Sequence, residues 1–475
     1  MPARASLQKQ LLRYAGLGAV LALVACSSIG ELQLPAPPVA SVWPKEAAPE
    51  PVGSAPVHWR SFFADDRLRA LIEAALDNNR DLRIAAARVQ EARAQYGYAK
   101  ADRLPTINLG GSGSFSKAPG DIGATGSTIS GERYDLSLSV ISFEADLWGR
   151  LAGLSDAAKS NVLASQAAQK AVQISLIADV ATAYFTLLQL DEMAALASTA
   201  LETREETLQL VGKGRDSGGV GEAEYQQVLG ILESTRAASE ALDYQRSVAT
   251  NRLQFLVGKL PKNLPEGSTL EHQDLTAKLP AGLPGDVLLL RPDVIAAEYR
   301  LRAAHANVGA ARAAFLPKIL LTAGVGVASA GLSSLFNAGS WTFQPAISMP
   351  LFDGGRTASG RDLAEARKEL AIAEYEKTLQ MAFREVADLL AASGSTARQL
   401  RASQANENAQ KFRFEMAVAR AKIGLTGTID VLDAQRELLA ARQTTIQVRR
   451  TQLDAAAQLY RALGGGQAEV QLAQK

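Results

Sequence analysis

The feature that most limits what this chain can become is a repeat. Residues 81–105, DLRIAAARVQEARAQYGYAKADRLP, return 212 positions later as residues 293–317, DVIAAEYRLRAAHANVGAARAAFLP. Asp81, Ala85, Arg88, Ala92, Ala94, Gly97, Ala99, Ala101, Leu104 and Pro105 recur at that offset as the same residue type. Both copies are Ala-rich and helix-favouring, and both stop at a proline, which cannot continue a helix. The chain therefore reads as two tandem repeats, and that settles its organisation before any finer reading.

After Pro105 the period changes from 3.6 to 2. Ile107, Leu109 and Phe115 fall on one face; Asn108, Ser112, Ser114 and Ser116 fall on the other. A Gly-rich loop at about 118–132 follows, then Tyr134, Leu136, Leu138 and Val140 alternate with Asp135, Ser137 and Ser139. Strands of about ten residues with one apolar and one small, polar face suit a membrane β-barrel or a soluble sheet lying on a core. Alternation alone does not separate the two. Upstream, a single helix over residues 66–103 is expected, with Leu68, Leu71, Ile72 and Leu76 as its first stripe and Trp59-Arg60-Ser61-Phe62-Phe63 as a packed cap. Gly149-Arg150 opens a helix running to about Gly212, some 63 residues or ~95 Å. Residues 213–221, KGRDSGGVG, read as a turn, and a return helix spans about 222–257. The opening helix stacked end to end on the return helix would match the length of the outgoing one.

The second repeat runs the same programme. A helix at about 291–315 ends before Pro317. Strand three carries Ile319, Leu321, Ala323, Val325 and Val327 on one face; strand four carries Trp341, Phe343, Ile347 and Met349. Gly355-Arg356 repeats Gly149-Arg150 at an offset of 206, because the second loop is shorter. A long helix at 357–422, a turn at 423–427 and a return helix at 428–463 complete it. Four strands cannot close a membrane barrel, which needs at least ~8, and an open edge cannot stand in hydrocarbon. Other copies of the chain must finish the wall: a dimer gives eight strands and a trimer twelve.

Residues 1–25 read as a signal peptide. Arg4, Lys9 and Arg13 precede an apolar stretch too short for a spanning helix, which needs ~20 apolar residues. It ends in Leu23-Val24-Ala25-Cys26, which resembles a bacterial lipobox and places the only cysteine of the chain where acylation requires it. Lipoprotein chemistry would put diacylglycerol on the Cys26 thiol and a further acyl chain such as palmitate on its amine. Residues 26–57, rich in proline, read as a lipidated start and an extended linker rather than a folded element. Residues 58–260 form the first repeat, 261–290 a connector, 291–465 the second repeat and 466–475 a tail. Fifty Lys+Arg against 49 Asp+Glu give no electrostatic support for a nucleic-acid partner. His58, His272 and His305 have no metal-ligand spacing. No nucleophile–base constellation or phosphate loop is present, so an enzyme is not expected.

Several motifs carry a resemblance. They are Arg291-Pro292-Asp293-Val294, Asn307-Val308-Gly309-Ala310-Ala311, Ala314-Phe315-Leu316-Pro317, Asp146-Leu147-Trp148-Gly149-Arg150, Pro350-Leu351-Phe352-Asp353-Gly354-Gly355-Arg356 and Asp430-Val431-Leu432-Asp433-Ala434-Gln435-Arg436. With them, residues 57–465 resemble the TolC-like outer membrane factor family, specifically its NodT-type lipoprotein branch. Ala145 departs from the pattern, which often has a proline there. The resemblance implies a mainly α chain with membrane β: a homotrimer whose twelve-stranded β-barrel, four strands per chain, continues into a long α-helical barrel. It implies a passive efflux duct in the outer membrane of a Gram-negative bacterium, extending into the periplasm. Its partners would be a periplasmic adaptor and an inner-membrane pump of the resistance–nodulation–division type, with no cofactor beyond the lipid. A type I secretion duct and a lipid-tethered periplasmic coiled-coil scaffold are the alternatives.

In the family the tunnel narrows where the helical hairpins turn. Here Arg420, Asp430 and Asp433 are the candidates for a gate held by inter-chain salt bridges or bound cations; each equally suits a solvated helix face. The turn Ile423-Gly424-Leu425-Thr426 resembles the adaptor-docking tip. Gly218-Gly219-Val220 holds the equivalent place in the first repeat and matches it poorly.

Overall fold

The computed structural model describes residues 32–43, 58–119, 129–273, 275 and 287–465. The signal, Cys26, the middle of the first loop, most of the connector and the tail lie outside the described residues. The chain divides into two compact units, each drawing on both halves of the sequence: residues 88–166 with 296–376, and residues 37–87 with 167–295 and 377–475.

The first unit holds an antiparallel sheet of order β1-β2-β3-β4: β1 (Ile107–Ala118), β2 (Ile129–Ala145), β3 (Lys318–Ser329) and β4 (Gly339–Ser348). The register aligns the apolar positions of all four strands: Leu109 faces Leu138, Leu138 faces Val325, and Val325 faces Trp341. The next row is Ile107, Val140, Ala323 and Phe343. These side chains are not covered; Leu109 is 73% and Trp341 78% exposed. The opposite face carries Asn108, Ser139, Gly324 and Thr342 in one row. At Gly326 a Cβ would collide with the Leu136 carbonyl oxygen, so β2 and β3 pass too closely for any side chain there.

β2 is 17 residues long, not about ten, and begins at Ile129, inside the stretch expected to be loop. Ser130, Gly131, Glu132 and Arg133 do not alternate, yet they pair with Lys117, Ser116, Phe115 and Ser114. Alternation reports what each face touches; the ladder extends wherever the hairpin keeps the two backbones adjacent. The register slips between Val140 and Phe143, where Ser142 adopts φ 52° and its N–H donates to Thr322 Oγ1 at 3.2 Å. The bulge moves the apolar set from even positions (Leu136, Leu138, Val140) to odd ones (Phe143, Ala145), keeping one greasy face despite the extra residue. β2 runs through Ala145, which pairs with Ile319.

Below each hairpin a capping motif starts a long helix. Asp146 Oδ2 accepts from Ala152 N–H at 2.7 Å, and Arg150 grips Glu144 through two hydrogen bonds. Asp353 accepts from the Gly355 and Thr357 N–H groups. The helices are α3 (Arg150–Asp216) and α6 (Arg356–Lys422), each of 67 residues, about 100 Å at the standard rise. They return as α4 (Glu222–Val257) and α7 (Thr428–Ala462). α5 (Pro292–Ala313) precedes β3. α3 contains the one described stretch apolar enough to cross a membrane as a helix. Leu176, Ile177, Val180 and Phe185 of that stretch are instead buried in the protein core.

The helix expected at 66–103 is two: α1 (Asp66–Asn78) and α2 (Arg80–Ala101). Asn79 lies between them in extended conformation, ψ 137°. Its Oδ1 accepts from Leu82 N–H at 3.0 Å, and its Nδ2 donates to the Leu256 carbonyl at 2.9 Å, beside the end of α4. There Gly258 turns with φ 75°, and a Cβ would sit 2.9 Å from Asn78 O. The start of α2 thus meets the end of α4, as the end-to-end expectation required. No proline or glycine marks the break; a tertiary contact imposes it, and asparagine caps both sides.

The second unit has the larger core. Trp59, Phe62 and Phe63 are buried with Leu68, Leu71 and Ile72 against α3, and Phe62 stacks on Tyr460 at 5.1 Å. Asp65 caps α1 through Arg67 and Leu68 N–H, and its other oxygen accepts from Tyr184 Oη and Ser268 N–H at 3.0 Å each. Burial, and then the Asp65 charge, pushes the Tyr184 hydroxyl above the usual tyrosine range, so it stays a donor. Trp43 is buried and stacks on Phe383 at 5.1 Å. Residues 32–43 have no regular structure, as the prolines predict, but this end of the linker is pinned to α6.

Arg291 is the second anchor. Its side chain is 8% exposed and binds Asp293, Glu385 Oε2 at 2.9 Å and the Ala462 carbonyl at 2.6 Å, tying α5, α6 and the end of α7 together. Burial works to raise the Asp293 pKa, but the hydrogen bonds and charge of Arg291 outweigh it and hold the carboxyl below the usual range. Its folded value is depressed, so its stabilisation is complete above the ordinary aspartate pKa and is lost as pH falls through the lowered one. Arg291→Ala should cost about 1–3 kcal/mol in denaturant unfolding, since it takes the shared donor from the Ala462 carbonyl and from the partly exposed Asp293 and Glu385 carboxylates. Asp293→Asn should flatten the loss of stability on acidification below about pH 4; an unchanged acid limb would place the titrating group elsewhere.

Candidate functional site

The two hairpin turns share one backbone design. α3 runs to Asp216, four residues beyond the expected Gly212, so the first turn is residues 217–221. Gly214 is tolerated inside the helix because a Cβ there would sit 2.7 Å from Val220 Cγ2. Gly218 has φ 77°; its N–H donates to Arg215 O at 2.9 Å, and Gly219 N–H donates to Gly214 O at 2.8 Å. In the second turn Gly424 has φ 75°; its N–H donates to Ala421 O and Leu425 N–H donates to Arg420 O, both at 3.0 Å. Each is a Schellman motif, in which a left-handed glycine lets two amides satisfy orphan helix carbonyls. All four donor–acceptor positions correspond at the 206-residue offset.

The side chains differ. Val220 folds back onto a small core of Val211, Val228 and Leu432, and Arg215 lies over the Tyr225 ring at 4.1 Å while pairing with Asp216 at 3.0 Å. The first tip is thus packed inward, against its own helices and Leu432 of α7. In the second, Ile423 and Leu425 are 71% and 70% exposed. Thr426, equivalent to Val220, has a buried Oγ1 with no hydrogen-bond partner among the described residues. The second turn exposes large apolar side chains at positions where the first has Ser217 and Gly219.

The three gate candidates lie within a short stretch of this second tip and are all exposed. Arg420 is in the last turn of α6 and Asp430 in the first turn of α7, where the helix dipoles favour their charges. Asp433 approaches Arg436 on the next turn at 3.5 Å. No ion pair joins Arg420 to either aspartate among the described residues. The sequence reading missed Arg215 and Tyr225, whose stacking orders the first tip. It also missed Arg204, a buried guanidinium whose charged form burial disfavours and whose Nε has no hydrogen-bond partner among the described residues.

Comparison with known proteins agrees with this geometry. The chain is 41% identical over 459 residues to the solvent efflux pump outer membrane protein SrpC of Pseudomonas putida, covering 94% of this chain and 97% of that one. The fold matches the open state of the MtrE outer membrane channel of Neisseria gonorrhoeae with a TM-score of 0.85 at 35% identity, over 93% of this chain and 98% of that one. It matches the CmeC outer membrane channel of Campylobacter jejuni with a TM-score of 0.86 at 27% identity, over 93% and 95%. The profile described as outer membrane efflux protein matches residues 71–259 and 283–465. The capped long helices, the apolar-faced sheet and these matches together make the chain a member of the outer membrane efflux protein family.

Proposed function

We propose that three copies of this chain form a passive duct through the outer membrane, each contributing four strands to a twelve-stranded barrel and two helical hairpins to a tunnel below it. The observation that carries this is the sheet. Its apolar face is bare, and β1 and β4 are both edge strands with unpaired backbone. In hydrocarbon every such group needs a partner, and further copies supply it by edge-to-edge pairing. The small polar face then lines the lumen. A water-soluble coiled-coil scaffold has no use for such a sheet.

The duct works with a periplasmic adaptor and an inner-membrane pump of the resistance–nodulation–division type. The exposed Ile423 and Leu425 beside Gly424 suit docking of an adaptor hairpin. The cargo is small molecules; the named functions of relatives, such as solvent and toluene efflux, favour this over protein secretion. Cys26 carries the lipid, and the pinned Trp43 sets how far the anchor reaches. Arg420, Asp430 and Asp433, brought together three-fold near the axis, restrict the periplasmic mouth.

Asp430→Ala with Asp433→Ala should raise single-channel conductance in planar bilayers several-fold; unchanged conductance removes both from the gate. Gly424→Val should abolish efflux, measured as a fall in the minimal inhibitory concentration of a pump substrate, while oligomers persist on native gels. Dissociated oligomers would make that turn a structural element instead. Mass spectrometry of the mature protein should show the acyl additions, and Cys26→Ser should lack them.

A further inference from the structure

Among the described residues, the polar face of the sheet carries charge at its two ends and none between. Up to the bulge the odd positions of β2 share that face with the even positions of β1, β3 and β4; beyond the bulge the even positions of β2 join them. Asn108, Ser137, Ser139, Thr322 and Gln344 make up its middle, and none of them ionises. Toward the loop end of β2, Arg133 and Asp135 stand two residues apart on this face, opposite Ser114 and Ser112. Arg133 grips Asp135 with two bonds, Nη2 to Oδ1 at 2.7 Å and Nε to Oδ2 at 2.8 Å. Charge returns at the other end, in Glu144, which Arg150 holds, and in Lys318, opposite Ser348. Ala328 faces Asp135 and Leu320 faces Glu144. The eight-residue step between them along β3 spans ~26 Å.

The pair does little for stability. The Arg133 side chain is 65% exposed, and an ion pair in water contributes ~0–1 kcal/mol. What it changes is the field. In a ring of three chains, an unpaired arginine here would set three like charges around one mouth, on a low-dielectric wall that focuses their field into the water between. The bidentate fork fixes the aspartate against the guanidinium, so the two charges stay together. We infer that the Arg133–Asp135 pair is the charge filter at the outer mouth of the duct, held neutral by its own pairing, so that uncharged, anionic and cationic solutes meet no selective field there. The inference rests on the duct proposed above and adds the residues that set which solutes its barrel admits. The uncharged rows below the pair supply no counter-charge, so either partner left alone would make the mouth selective.

The test places a reporter thiol in the row of Asp135. Ser112→Cys, in the full-length lipoprotein reconstituted in liposomes, is treated with an anionic and with a cationic methanethiosulfonate. Labelling is followed by mass spectrometry, and each rate is divided by that reagent's rate with a free thiol. The wild type, whose one cysteine is Cys26, is the blank. At about 0.01 M ionic strength, where charges act over ~30 Å, the paired protein should label at similar normalised rates with both reagents. Asp135→Asn, which leaves Arg133 alone, should raise the anionic-to-cationic ratio about fivefold, and Arg133→Gln should lower it by a similar factor. Both substitutions together should return the ratio to its starting value. At about 1 M salt, where the screening length is ~3 Å, each shift should vanish. A ratio unchanged in both single variants, with oligomers intact on native gels, would overturn the filter. A shift that the double variant keeps would overturn it too. Leu138→Cys, on the apolar face, reports separately on the duct and should resist both reagents. Fast labelling there would remove the barrel itself, whatever the ratio at Ser112→Cys.

Discussion

A backbone amide inside a lipid bilayer has to be paired, and most of this molecule follows from that demand. Water is absent there, so each unmatched N–H or C=O costs several kcal/mol. A sheet of four strands leaves two rows of such groups open at β1 and β4. The chain therefore carries an incomplete element by construction. The bulge at Ser142 belongs to the same economy: it absorbs an irregularity in β2 without turning apolar side chains inward. Trp341, Phe343 and Ile347 are exposed on the edge strand for the same reason.

The helices follow a different rule. They hold together by burying small and aliphatic side chains along seams, so alanine dominates and large aromatics gather at few places. Those places are where direction changes. Trp59, Phe62 and Tyr460 pack where α1 begins, and Asp65 gathers the strands of chain around Tyr184. Arg291 does the corresponding work by charge, joining three helices through one buried guanidinium. Such a hub adds less net stability than its contacts suggest, because desolvation opposes them. It fixes which helix ends may meet.

Duplication supplied the plan, and divergence assigned the tasks. Both turns keep the glycine and the two amide-to-carbonyl bonds, yet the exposed Ile423 and Leu425 stand where the first turn has Ser217 and Gly219. Both return helices keep the inner seam, yet only α7 buries its second face within the chain. The two hairpins thus share one inner seam and differ in how much of a second face the chain itself covers.

The sequence by itself determined the two-fold programme, the order of helix and strand, the position of each turn to within a few residues, and the apolar face of every strand. Periodicity and glycine placement are local signals, so they survive without coordinates. Family motifs pointed to the candidate gate and docking residues, but not to their neighbours. Tertiary structure alone decided the break at Asn79, the extra length of β2, the burial of Trp43 and the roles of Asp65 and Arg291. Each of these depends on a group far along the chain: Leu256 O, the β1 backbone, Phe383, Tyr184 and Ala462 O. Nothing in a local window records such a partner, because the contact exists only once the helices have been laid side by side.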